Sequence, residues 1–141
     1  MTAAIAVDFD AALGDTEPLW RAWLEDARRR YRVELDDDPD EAALDEAIGN
    51  WRPLLARFAE DHARVYLRPD PIANAQLRQL AASGARVGAF TDAPEPLARV
   101  AAAHLGVASR LEALEAGPGA LERLLATLGP DAEVVQSLDA L

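Results

Sequence analysis

The 141-residue sequence contains no cysteine and no lysine. The first absence removes disulfides, thiolate metal ligands and cysteine nucleophiles together, and it suits a reducing compartment. The second leaves arginine as the whole basic complement, 14 residues against 25 acids, for a net charge of −11. So negative a balance excludes nucleic acid as a partner, because that binding rests on Lys and Arg meeting phosphates. It also gives no long-range steering to an anionic substrate, so a phosphate pocket must be locally basic or filled by a metal. No apolar run approaches the ~20 residues of a membrane span. Met1-Thr2-Ala3-Ala4 lacks the basic and apolar stretches of a secretory leader. These absences predict a cytoplasmic protein without membrane contact. Arginine in place of lysine, with abundant Ala, Asp, Gly and Pro, fits a GC-rich bacterial genome.

What is present is ordinary for a folded chain. Half the residues are hydrophobic and 28% are charged, enough for one domain with a buried core. Ala4-Ile5-Ala6-Val7 is a short apolar run that stops at Asp8-Phe9-Asp10, the pattern of a buried strand entering a polar loop. Thr16 offers a helix N-cap with Pro18 just inside, and Leu19, Trp20, Trp23, Leu24, Ala27 and Tyr31 recur at helical spacing to about Arg32. The acidic run Asp36 to Asp40 reads as a solvated loop that caps a short helix containing Leu44 and Ile48. A third helix carries Trp51, Leu54, Leu55, Phe58 and His62.

Arg68-Pro69-Asp70-Pro71 reads as a hinge, since prolines stop helices and stiffen the backbone. Beyond it helices and strands alternate. A helix over 72–83, a strand over 86–91, a helix over 95–105, a weak strand over 110–114, a helix over 120–128 and a last strand over 133–136 are predicted. This alternation implies right-handed crossovers and a small parallel Rossmann-like sheet of four strands flanked by helices. Residues 16–67 then form a helical insertion, with 1–15 and 68–141 making the α/β core.

In a parallel sheet the strand ends share one edge, where ligands bind. Asp8 and Thr91 both end apolar strands, so they belong on that edge. A carboxylate at Asp8 can attack phosphorus and form an aspartyl-phosphate. Asp10 can protonate the leaving oxygen and then activate water. Thr91, with Asp92 beside it, stands ahead of a helix and can hold a phosphate oxygen. Magnesium, which takes carboxylate, carbonyl, substrate and water oxygens, would neutralise the charge brought together there. His62 and His104 sit at apolar-face spacing and read as packed or surface residues. Arg28-Arg29-Arg30 reads as a solvated helix face. Gly117-Pro118-Gly119 lacks the lysine and following Ser/Thr of a phosphate-binding P-loop.

The segments Ala4 to Pro18 and Arg86 to Pro94 resemble the first and second motifs of the haloacid dehalogenase (HAD)-like hydrolases, and the resemblance covers nearly the whole chain. The second aspartate places it with the phosphatase-like branch. The resemblance implies that 16–67 is a cap, that Asp8 is nucleophile and metal ligand, and that Asp10 is general acid/base and carbonyl ligand. It implies Thr91 as a phosphate anchor and a small phosphorylated molecule as substrate. Three positions depart from the family pattern. Ala11-Ala12 replace a frequent Gly-Thr. The third motif's basic residue is absent beside Gly117-Pro118-Gly119, with Arg123 or Arg110 as substitutes. The fourth motif's acids are reduced to Asp139, about three residues late, so Mg²⁺ is expected to bind weakly through Asp8, Asp10 and Asp139. A catalytically silent domain that binds a metabolite or protein is the alternative reading. With no fifth strand after Gln136, the last strand is expected to be an edge. Either residues 137–141 cover it or a homodimer pairs two such edges, and the valines at 134 and 135 favour the dimer.

Overall fold

The structure, a computed structural model, describes residues 3–139. The expectations that touch Met1, Thr2, Ala140 and Leu141 lie outside those residues. Four parallel strands, β1 (Ala4–Asp8), β2 (Arg86–Thr91), β3 (Ala113–Ala116) and β4 (Glu133–Val135), form one sheet in the order β3-β2-β1-β4. β1 is central, and its Ile5, Ala6 and Val7 are all buried. A strand covered on both faces needs such a continuous apolar run rather than an alternating one.

Among the described residues seven α-helices flank the sheet. β1 runs into the short α1 (Phe9–Ala12), followed by α2 (Glu17–Tyr31), α3 (Glu41–Ala47) and α4 (Trp51–Tyr66). α5 (Pro71–Ala82) leads into β2, α6 (Glu95–Leu105) joins β2 to β3, and α7 (Ala120–Leu128) joins β3 to β4. Successive side chains of a strand point to opposite faces. Ala6 accordingly packs with Leu124 and Leu128 of α7, whereas Ile5 and Val7 face a larger cluster with Leu97, Ala101 and Leu105 of α6. That larger cluster also holds Trp23 and Leu24 of α2 and Trp51, Leu55 and Ala59 of α4. Residues 16–67 are therefore inserted in sequence but packed into the same apolar cluster as the sheet. None of the helices among the described residues is long and apolar enough to cross a membrane.

Gly88 pairs with Ala6 on the α7 side of the sheet. A Cβ there would lie 2.5 Å from Leu124 Cδ1 and 3.2 Å from the Ala113 carbonyl oxygen, so the absence of a side chain sets how closely α7 packs. Gly88→Val is expected to lower stability by about 1–3 kcal/mol through overpacking. An unchanged denaturant midpoint would show that α7 slides freely on the sheet.

Arg86 closes the sheet at the N-terminal end of β2. It bonds both oxygens of Glu112, at 3.0 and 2.6 Å, and reaches the Thr127 and Leu128 carbonyls at the end of α7. Its hydrogen bond holds the Glu112 carboxyl below the usual carboxylate range.

Two strand boundaries differ from expectation. The third strand covers Ala113–Ala116 rather than 110–114, because Ala108–Arg110 form a 3-10 turn. The Arg110 and Leu111 amides bond back to the Val107 and Ala108 carbonyls, and pairing with β2 begins only when the Glu112 amide reaches the Val87 carbonyl. The last strand stops at Val135, one residue early. β4 lies at the sheet edge with Val134 47% exposed, while Leu138 beyond it is buried.

Candidate active site

The register places the ends of β1, β2 and β3 together, with Asp8 opposite Phe90 and Thr91 opposite Ala116. Asp8 does not lead into an open loop. Its Oδ1 accepts the Ala11 amide at 3.3 Å, capping α1 and turning the chain so that Asp10 lies in the first turn of that helix. Asp10 Oδ1 accepts the Thr16 amide at 2.8 Å and the Thr16 hydroxyl at 2.6 Å, and Oδ2 accepts the Thr91 hydroxyl at 2.5 Å. Both carboxylate oxygens are thus engaged by the two threonines.

Thr16 stands at the N-terminus of α2, yet its side chain makes no capping bond to that helix. The hydroxyl serves Asp10 instead. Thr91 Oγ accepts the Ala93 amide at 3.2 Å and spends its one proton on Asp10. A phosphate oxygen taking the Thr91 hydroxyl would compete with Asp10 for that proton.

A cavity of about 520 Å³ opens beside this group. Asp10 and Thr16 border it, with Trp20, Asp92 and Pro94 among its walls, and Asp8 does not. Its far side is the acidic run, whose Asp36, Asp37, Asp38 and Asp40 are solvent-exposed as expected but held in place by arginines. Arg21 Nη2 bonds Asp38 Oδ1 at 3.1 Å and Nη1 bonds the Asp37 carbonyl, while Arg28 bonds the Leu35 and Asp36 carbonyls. The two arginines strap the loop to α2 and bring Asp38, Pro39 and Asp40 onto the cavity. Asp40 also caps α3 through the Ala43 amide at 2.8 Å.

The other candidate residues lie elsewhere. Asp139 accepts Gln76 Nε2 at 3.0 Å and so is tied to α5, because burial of Leu138 draws the tail onto the core. Asp8, Asp10 and Asp139 do not come together, and no three carboxylate or histidine side chains among the described residues form a metal-holding group. The expected third metal ligand is corrected accordingly. Arg123 bonds Glu115 Oε1 at 3.0 Å and the Pro118 and Ala116 carbonyls, each at 2.5 Å, so it pins its own loop. That loop needs glycine at 117 and 119, where φ is +83° and +74°. Arg110 precedes β3 and therefore lies toward the opposite edge of the sheet. His62 packs tilted against Phe58 with ring centroids 4.2 Å apart, and His104 Nε2 meets the Leu67 carbonyl at 2.9 Å. Neither histidine belongs to this site.

The donors present fit magnesium in part. The Leu13 and Gly14 amides both converge on the Phe9 carbonyl, at 2.9 and 3.1 Å. Gly14 therefore passes over the Asp10 carbonyl, which is left without its usual i+4 partner. That carbonyl and the Asp8 carboxylate are hard oxygen donors of the kind magnesium takes.

No protein-family model matches the chain, and no curated protein sequence matches it. Among solved structures the chain is similar to a protein from Thermotoga maritima provisionally named a beta-phosphoglucomutase, with a TM-score of 0.60 and 15% identity, over 94% of this chain and 75% of that one. At that identity the likeness shows the fold alone: an α/β core with a four-stranded parallel sheet flanked by helices.

Proposed function

We propose that the chain is an HAD-like hydrolase, a phosphatase of a small phosphorylated metabolite that works through an aspartyl-phosphate. The observation that carries this reading is the joining of Asp10, two residues past the end of β1, to Thr91 at the end of β2 by a 2.5 Å hydrogen bond. Asp8 attacks phosphorus as the ester P–O bond breaks, and protonated Asp10 gives its proton to the departing alkoxide. Asp10, now a carboxylate, takes a proton from water as that water attacks the phosphoenzyme. Inorganic phosphate leaves, Asp8 is regenerated and Asp10 is protonated again. The Thr16 amide and hydroxyl hold Asp10 in place through both halves of the cycle. The Asp8 carboxylate and Asp10 carbonyl would hold Mg²⁺, whose charge offsets that of the phosphoryl oxygens.

The test is phosphate release from a panel of small phosphate monoesters with Mg²⁺ present. Turnover of at least one is expected, and no release from any by the folded protein would reject hydrolysis in favour of the second reading. That reading, a silent domain that binds a metabolite or protein, is favoured by a specific observation. The hydrogen-bond partners of Asp8 and Asp10 are all neutral donors, and Arg123 is turned into its own loop.

With two protein ligands rather than three or more, magnesium is expected to bind the free protein weakly. Titration calorimetry should show no saturable low-micromolar site. Finding one would mean that a further carboxylate moves onto the metal.

A further inference from the structure

The cavity beside Asp10 is acidic out of proportion to its size. Asp10, Asp15, Glu17, Asp38, Asp40, Glu41 and Asp92 border its roughly 520 Å³, with Arg21 the one basic residue of the lining, while Glu41 is paired at 3.5 Å with Arg52. Arg21 is not available to an anion. Glu17 Oε1 takes its Nε at 2.7 Å, Asp38 Oδ1 takes Nη2 at 3.1 Å, and the Asp37 carbonyl takes Nη1. Its charge is balanced within the wall. Trp20 adds an indole to the lining, and an indole face attracts cations.

Asp10 borders this cavity and Asp8 does not. A substrate with phosphorus at Asp8 and its leaving oxygen at Asp10 therefore lays its leaving group, not its phosphoryl group, in the acidic space. We infer that the leaving group is cationic: the substrate is the phosphate monoester of a small amino alcohol, with the ammonium group among the cavity carboxylates and against Trp20. This inference rests on the hydrolase reading for the placement of phosphorus, but the selection by charge belongs to the cavity itself. Carboxylates around a partly enclosed space favour a cation over a neutral group of the same size and disfavour an anion more strongly.

The experiment compares three esters of similar size, 2-aminoethyl phosphate, propyl phosphate and carboxymethyl phosphate, with Mg²⁺ at low ionic strength. The expected order of kcat/KM is cationic, then neutral, then anionic, with about tenfold between the first two. Added salt should compress it. Asp92→Asn, an exposed wall position, should narrow the gap between cationic and neutral esters. Turnover with equal rates, or with the anionic ester preferred, overturns the inference and leaves the hydrolase reading standing. If no ester is hydrolysed the hydrolase reading falls, and the cavity is judged by binding alone. Quenching of tryptophan fluorescence by 2-aminoethanol but not by 1-propanol then upholds its selectivity for cations, and equal response to both overturns it.

Discussion

Asp8→Asn should abolish phosphate release, and Asp10→Asn should reduce it by ~10²–10⁴-fold. The inequality follows from the two positions. Asp8 supplies the attacking oxygen and the charge on a prospective metal ligand, and an amide supplies neither. Asp10 contributes proton transfer, while its carbonyl, the other prospective ligand, survives the substitution. Asn at position 10 also keeps an oxygen for the Thr16 amide and hydroxyl, but its NH₂ would face the Thr91 hydroxyl as a donor. That hydroxyl is then free to turn toward a phosphate oxygen. Tighter binding of inorganic phosphate in Asp10→Asn than in wild type is the accompanying sign. Full turnover by purified Asp8→Asn would rule out the covalent route.

The strands and helices that were legible are those whose boundaries are written locally. α6 begins beyond Pro94 and ends at Gly106, and α7 lies between Gly119 and Gly129, so glycine and proline marked their limits at the expected residues. The limits of β3 are not legible because its residues, Ala113 to Ala116, have neither β-branching nor a clear alternation. Its pairing is set by the Glu112 amide finding Val87. Propensity yields to tertiary contact at such a strand.

The site was legible in its backbone placement and less so in its electrostatics. An apolar strand ending at Asp8 and another ending at Thr91 put those residues on one edge, and the structure brings Asp10 and Thr91 into direct contact. The capping residues were harder. Thr16 reads as an N-cap from sequence alone, and only the turn of α1 brings Asp10 within reach to claim its hydroxyl. The acidic run is solvent-exposed as its composition predicts, and Arg21 and Arg28 hold it over the cavity. Their spacing of two helical turns on one face was the available signal. Distance along the chain sets only an outer limit on where Asp139 lies, whereas burial of Leu138 decides where it goes.

The other large effect expected is on stability. Trp23→Ala should cost about 3–5 kcal/mol, the usual range for emptying a buried aromatic site. The ring is 1% exposed, stacks on Trp20 at 5.6 Å and lies 6.2 Å from Trp51. Against a typical domain stability of about 5–15 kcal/mol, that loss is a large share. How it is distributed shows what kind of insertion residues 16–67 form. A cap hinged as a separate domain would unfold by itself and leave the sheet intact. Here α4 lies between α2 and α6, and one apolar cluster runs from Trp23 through Trp51 and Leu55 to Leu97 and Val7. Loss of the insertion would expose the α6 side of the sheet, so the two parts should melt together. All three tryptophans, Trp20, Trp23 and Trp51, lie in the insertion, so fluorescence reports that region alone. Far-UV circular dichroism reports the helices of both parts. The expected result is a single transition by both probes in wild type and in Trp23→Ala, displaced to lower denaturant in the variant. A fluorescence transition that moves away from a later dichroism transition would show instead that 16–67 unfolds independently of the sheet.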